Sequence, residues 1–230
     1  MKATFAHTKN LKAFLDGVNT LMEPVGGRLG LGIFYGPPGT GKTEIGKWYA
    51  ANKGCPYIRA GYISTGHSLL SDICDELGES PSGKTSATLA TIVRALSTQP
   101  RPVIIDECDY LVKEGVIELL RDISDEANSP VIMIGMEKFD GRVRRYSHLY
   151  DRVRVSVKME LFSLEMTHEF VTAMCEYKLS DEAISLINKN SHGKLRLICL
   201  WIARAEMMAR ANKAQEVTAA MLGQTWGAGK

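Results

Sequence analysis

Residues 31–53 read LGIFY, then GPPGTG, then KTEIGKWYAANK. No other stretch limits the fold so tightly. Five apolar or small residues ending on Tyr35 fit a short buried strand. After the loop, Ile45, Trp48, Tyr49 and Ala50 return near helical spacing. Between them lies Gly36, four residues, then Gly41-Lys42-Thr43. Glycines let a backbone wrap with its N–H groups pointing inward, a nest for phosphate oxygens. The helix behind offers the positive end of its dipole. Lys42 is placed to reach β- and γ-phosphates, and the Thr43 hydroxyl to ligate Mg²⁺. The candidate cradle is therefore Gly36, Pro37, Pro38, Gly39, Thr40, Gly41, Lys42 and Thr43. Chance produces this pattern in roughly 1% of chains of such length.

The rest of the chain alternates in the same way. Candidate strands are 31–35, 56–60, 102–106, 130–135 and 152–157. Helical patterns occupy 42–53, 67–77, 85–98, 112–127 and 137–148. Alternation of this kind predicts a parallel five-stranded sheet covered by helices on both faces. Beyond Lys158 the strands stop, and 163–179, 180–191 and 193–214 read as helices. Ser163 and Ser180 stand at N-cap positions, and Asp181 and Glu182 suit a first helical turn. We expect an α/β core over 1–157 and a helical lid over 158–230.

A second motif ends the third strand: RPVIIDECD at 101–109. Apolar residues lead to Asp106 and Glu107. In a phosphate-loop fold, an acid at the end of a buried strand holds the Mg²⁺ water shell. The next acid polarises the attacking water. A surface Asp-Glu turn is the plainer alternative. DECD also occurs in DEAD-box helicases, which need two tandem nucleotide-binding domains, and this chain has room for one.

Net charge is +2, which by itself implies no polyanion partner. Charge is uneven, however. From Glu137 to Lys158 there are seven Lys/Arg against three acids. That run suits a polyanion or simply a solvated helix face. Cysteines 55, 74, 108, 175 and 199 form no CxxC pair and read as reduced thiols. The five histidines show no ligand spacing. No apolar run is long enough to span a membrane, and MKATFAHTKN has no signal-peptide core. We expect a cytoplasmic protein of a bacterial or phage-infected cell.

Four stretches carry a family likeness: GPPGTGKT at 36–43, VIIDECDYL at 103–111, PVIMIGMEKF at 130–139 and SHGKLRLICLWIARAEMMA at 191–209. With them, nearly the whole chain resembles the AAA+ ATPases. Within these it is most similar to transposition regulators of the phage Mu protein B, TnsC and TniB type, a likeness that the leader TKNLKAFLDGV at 8–18 shares. The resemblance implies an Mg²⁺-dependent ATPase with a phosphate-loop core, five-stranded parallel sheet and small helical lid. It implies ATP in the cleft between core and lid. It also implies assembly as a ring or helical oligomer on double-stranded DNA, and recruitment or activation of a transposase. Asp106 would hold the metal with Thr43, and Glu107 would orient the water. Arg196, following Gly193, would be the lid arginine on the γ-phosphate. An arginine ahead of the fifth strand would reach a neighbour's ATP. Arg152 is the first choice, with Arg144 and Arg145 as rivals. Lys84 and Thr85, after the GESPSG turn, are candidate DNA-backbone contacts.

Two features depart from the family pattern. The position after the fourth strand is usually Asn or Thr, which helps place the water; here Gly135 is followed by Met136. A thioether does that work poorly, so slow hydrolysis is expected. Mu protein B also carries an N-terminal DNA-binding segment. About 30 residues precede the first strand here, so DNA contact is expected from the core itself. A DnaC-type helicase loader, a signalling or defence switch without DNA, and an ATP-holding scaffold without turnover remain the alternatives.

Overall fold

The computed structural model describes residues 2, 5–112 and 116–223. Contacts divide the chain into two units: residues 13–36 with 42–159, and residues 1–12, 37–41 and 160–230.

The first unit is built on a sheet. Its strands are β1 (Leu31–Tyr35), β2 (Tyr57–Arg59), β3 (Val103–Asp106), β4 (Val131–Gly135) and β5 (Val153–Lys158). All pairings are parallel, in the order β2-β3-β4-β1-β5. Helices alternate with them: α1 (Lys9–Met22), α2 (Lys42–Lys53), α3 (Gly66–Glu76), α4 (Thr85–Thr98), α5 (Glu118–Ala127), α6 (Phe139–Val143) and α7 (Ser147–Tyr150). The expected fold class holds. Five short runs of β-branched and apolar residues, joined by crossovers, leave no other economical way to bury both faces.

Each face has its own cover. Leu31, Ile33, Val103, Ile105, Val131 and Met133 point into a fully buried cluster with side chains of α3, α4 and α5. The other face packs against α1 and α2. There the sheet leaves room deliberately: a Cβ on Gly32 would lie 2.4 Å from Leu21 Cδ1, and one on Gly46 2.8 Å from Ile134 Cδ1. Phe14 stacks at 4.6 Å on Phe34 and 5.6 Å from Tyr49. Each such buried side chain contributes about 1.5–3 kcal/mol.

In the other unit, α8 (Leu164–Met174), α9 (Asp181–Ser191), α10 (Leu195–Asn212) and α11 (Ala219–Gly223) enclose a second apolar cluster. Both expected N-caps form: Met166 N–H donates to Ser163 Oγ at 3.1 Å and Ala183 N–H to Ser180 Oγ at 3.3 Å. A two-stranded parallel pair, β6 (Lys178–Leu179) with β7 (Glu216–Val217), closes the cluster.

Several elements differ from the sequence reading. The helix expected over 112–127 begins at Glu118. Val112 turns away with ψ 67, and residues 113–115 of that expectation lie outside the described residues. The helix expected over 137–148 is two short ones, because Tyr146 leaves helical geometry. Asp140 is drawn instead to Ser156 and Arg144. The helix expected over 163–179 ends at Met174, where Cys175 turns extended, and Lys178–Leu179 form β6 instead. Helix α1, β7 and α11 had no sequence assignment.

Candidate active site

Parallel strands deliver the residues that follow them to one edge of the sheet, and ligands of such folds bind outside that carboxyl edge. Gly36 leaves β1 there, Asp106 ends β3 with Glu107 directly after it, and Met136 follows β4. A Cβ on Gly36 would lie 2.2 Å from Met159 O, so the chain after β1 passes too close to β5 for any side chain. Gly39 and Gly41 adopt φ of 92° and 90°, a region closed to ordinary L-residues.

Lys42 opens α2 and is only 8% exposed. Its ammonium donates to Gly36 O at 2.8 Å. Burial lowers its pKa below the ordinary lysine value, while Asp106, Glu107 and Asp109 push the other way and do not fully compensate. A buried cation in this position is stabilised by an added polyanion.

Asp106 is 2% exposed, and both its oxygens are used. Oδ2 accepts from Thr43 Oγ1 at 2.8 Å and from the Tyr57 hydroxyl at 2.7 Å; Oδ1 accepts from Glu107 N–H at 2.8 Å. Tyr57 therefore belongs to the site, although the sequence reading did not select it. Burial, then its bond to Asp106, raises the phenol well above its usual pKa, so it stays a donor. Glu107 stands at φ 58 and ψ 35, left-handed geometry rare for a side chain of its size. That conformation turns its carboxylate out of the strand direction, 3.4 Å from Arg59 Nη2. Arg59 ends β2 and was also not selected. The signal for both was positional: they flank the sheet edge beside β3.

In the second unit, the middle of the loop is held from behind. Asn10 Nδ2 donates to Thr40 O at 3.0 Å and to Glu160 O at 2.8 Å, and its Oδ1 accepts from Glu160 N–H. Leu195 N–H donates to Gly39 O at 2.7 Å. The first residue of α10 is thus bonded to the loop, and Arg196 is the next residue along. Arg196 itself is exposed and makes no ion pair or side-chain hydrogen bond among the described residues.

The remaining candidates lie elsewhere. Arg152 precedes β5, and its carbonyl accepts from Leu31 N–H at the start of β1. That is the amino edge of the sheet, opposite Lys42 and Asp106. Its guanidinium pairs with Asp125 at 3.0 Å, in an open hollow of about 320 Å³ also lined by Arg121, Asp122, His148 and Asp151. Arg144 is engaged by Asp140 at 2.8 Å and lies over the Tyr150 ring. Arg145 is exposed and without such a partner among the described residues. Lys84 caps α4 without a side-chain bond and Thr85 begins it; their hydrogen bonds stay within that turn.

The residues present fit a nucleotide triphosphate with a hard cation. Gly36, Gly39 and Gly41 bring no Cβ to the loop, the buried Lys42 ammonium reaches Gly36 O, and Thr43 and Asp106 offer two adjoining oxygens. Mg²⁺ takes few protein oxygens and keeps several waters. A family profile described as an AAA domain matches residues 27–143. The chain belongs to that family. It carries a domain of the AAA+ ATPase family.

A Staphylococcus aureus protein described as "Potential ATP-binding protein" is 31% identical over 129 residues, which are 50% of this chain and 46% of that one. This AAA+ chain thus spans about half the length of its curated relative. Its fold is similar to the Aeropyrum pernix ORC2 protein, with TM-score 0.73 and 14% identity over 94% of this chain and 67% of that one. The Aeropyrum pernix ORC1 protein in complex with DNA gives 0.65 and 15%, over 98% and 66%. The Thermotoga maritima RuvB Holliday junction branch migration motor gives 0.61 and 20%, over 97% and 70%. Among the described residues no helix is long and apolar enough to cross a membrane.

Proposed function

We propose that this AAA+ domain hydrolyses ATP slowly, assembles on double-stranded DNA when ATP is bound, and in that state recruits or activates a transposase. The observation that carries the ATPase part is the convergence of Lys42, Thr43, Asp106 and Glu107 on one sheet edge. The DNA part rests on the basic run over 137–158, on the sequence likeness to transposition regulators, and on the fold shared with an ORC1 protein in complex with DNA. In this reading residues 1–157 are the nucleotide-binding core and 158–230 the lid.

Lys42 and the loop N–H groups of residues 36–43 bind the β- and γ-phosphates. Thr43 and Asp106 would hold Mg²⁺, which supplies charge neutralisation at the phosphates. Glu107 takes a proton from water as its oxygen bonds the γ-phosphorus; the bond to the ADP oxygen breaks, giving ADP and phosphate. At rest Arg59 holds the Glu107 carboxylate. That pair is open to solvent on the Arg59 side, so its hold is weak, about 0–1 kcal/mol. Arg196 would read the γ-phosphate from the lid.

An arginine of a neighbouring copy would complete the site. Arg152 remains first, since its half-buried pair with Asp125 lies in an open hollow that a partner can enter. Arg145 is the rival; Arg144 is committed to a buried carboxylate. Lys84 and Thr85 are proposed backbone contacts on DNA. The decisive experiment is DNA binding and sedimentation at two salt concentrations, with ATP, ADP or no nucleotide. We expect ATP-dependent, salt-sensitive binding with little sequence preference. Arg152→Ala should keep ATP affinity and lose both turnover and DNA binding. DNA binding that ignores nucleotide, or none at all, would overturn the DNA reading and favour a signalling switch. Combined loss only in Arg145→Ala would move the finger there.

A further inference from the structure

Met136 cannot supply the polar group that its position usually offers to the reaction, yet the β4 tip is not left loose. Its backbone N–H, the first beyond the strand, donates to Asp109 Oδ2 at 2.6 Å. The other oxygen of Asp109 accepts from Arg142 Nη1 at 3.1 Å. One carboxylate, mostly buried, thereby joins the turn after β3 to the turn after β4 and to α6. The β4 side is rigid in its own right: Met136 O accepts from Phe139 N–H at 3.0 Å, and the Phe139 ring fills the space above Gly135, where a Cβ would meet Phe139 Cγ at 2.2 Å.

On the β3 side, Asp109 belongs to the 3-10 turn Cys108–Leu111, whose first residue follows Glu107 directly. Tyr110 N–H donates to Glu107 O at 3.1 Å, so Glu107 and Asp109 are parts of one small rigid turn. Glu107 has left-handed φ, and a strained conformation persists only where its surroundings enforce it. Asp106 supplies one constraint through Glu107 N–H. Asp109 supplies the other, by docking the far side of the turn on the β4 tip.

We propose that Asp109 is a positioning residue for ATP hydrolysis: through Met136 N–H and Arg142 it fixes the turn that aims the Glu107 carboxylate. Arg142 balances the third negative charge that Asp109 brings near Lys42, so the dock does not weaken phosphate binding. The proposal rests on the ATPase reading above, because it assigns Glu107 as the group being aimed.

The test compares wild type, Asp109→Ala, Asp109→Asn and Arg142→Ala. Measured for each are ADP affinity, ATP turnover, and amide exchange of residues 131–143 in the nucleotide-free protein. For Asp109→Ala we expect turnover to fall roughly 10- to 100-fold, the scale of a misplaced catalytic group. ADP affinity should stay within about threefold, since a transition-state contribution is lost and not ground-state binding. Exchange should rise at the β4 tip. Asp109→Asn keeps an oxygen for Met136 N–H and should recover most of the turnover. Arg142→Ala should fall between them. Unchanged turnover in Asp109→Ala overturns the proposal. So does a parallel loss of ADP affinity and turnover that Asn fails to rescue, which marks a purely structural role. Normal ADP binding with no turnover in wild type overturns the ATPase reading and this proposal with it, whereas the first two results leave the ATPase reading intact.

Discussion

The two edges of the sheet are built differently. At the carboxyl edge, Lys42 and Asp106 are buried and bonded within the chain: Lys42 to Gly36 O, Asp106 to Thr43, Tyr57 and the Glu107 amide. At the amino edge, Arg152, Asp125, Arg121 and Asp122 pair with one another in an open hollow. Buried polar groups must be satisfied in the fold itself and lose much when one partner goes. Exposed ion pairs are screened and exchange partners at little cost. The carboxyl edge thus satisfies its buried charges within this chain, whereas the amino edge keeps charges that a second molecule can claim.

The largest effect should come from the carboxyl edge. Lys42→Ala removes the buried ammonium, and a charge-assisted contact to phosphate cannot be replaced by water there. ATP affinity measured with a fluorescent analogue should fall by about 100-fold or more. Unchanged affinity would sink the phosphate-loop assignment. Glu107→Gln comes next and separates binding from chemistry. Affinity should hold while phosphate release slows about 100-fold, the low end for a positioned general base. Turnover that survives would make another group the base, with Glu137 the next candidate.

Lysine burial also gives a pH signature. In the nucleotide-free fold Lys42 has a lowered pKa, so its charged form is disfavoured relative to the unfolded chain. Below that lowered pKa the fold carries the full cost of burying the charge. As pH rises toward the unfolded value of 10.5, the cost is relieved and this group's contribution to stability improves. ATP binding runs the other way, because phosphate needs the ammonium. Apo stability and ATP affinity should therefore move in opposite directions on the alkaline side, in wild type but not in Lys42→Met. Parallel movement would show that Lys42 is not the titrating group.

Much of this division was legible in the sequence, for physical reasons. The loop and strand-end acids could be read because their chemistry fixes residue type and spacing locally: Gly39 and Gly41 need open φ, and Asp106 must end a strand. The parallel sheet was readable because buried strands are short runs of one character. Tyr57 and Arg59 were not, since their roles arise only when β2 is laid beside β3. Asn10 was missed likewise: its bonds to Thr40 and Glu160 span 30 and 150 residues. The break between α6 and α7 comes where Tyr146 leaves helical geometry, and nothing in the spacing of 137–148 marked that residue. The family resemblance, with its place ahead of the fifth strand, singled out Arg152, but only the fold reveals its pairing with Asp125.

The smallest effects should lie at the amino edge, and they sharpen the contrast most directly. Tyr57→Phe deletes one hydroxyl at the carboxyl edge and leaves the buried Asp106 with one donor fewer. Such a loss costs about 1–3 kcal/mol. Arg152→Ala deletes an entire guanidinium at the amino edge, but its pair with Asp125 is only half-buried in an open hollow, and pairs that solvent reaches contribute about 0–1 kcal/mol. Chemical denaturation of the nucleotide-free protein compares the two directly. The smaller chemical change should destabilise more. Raising salt should shrink the Arg152→Ala effect further, since screening acts on exposed charges, and should leave that of Tyr57→Phe nearly unchanged. If Arg152→Ala proves the more damaging, the Arg152–Asp125 pair is a structural brace of this subunit. The amino edge would then satisfy its charges within this chain as the other does, and the neighbour's finger would have to be sought at Arg145.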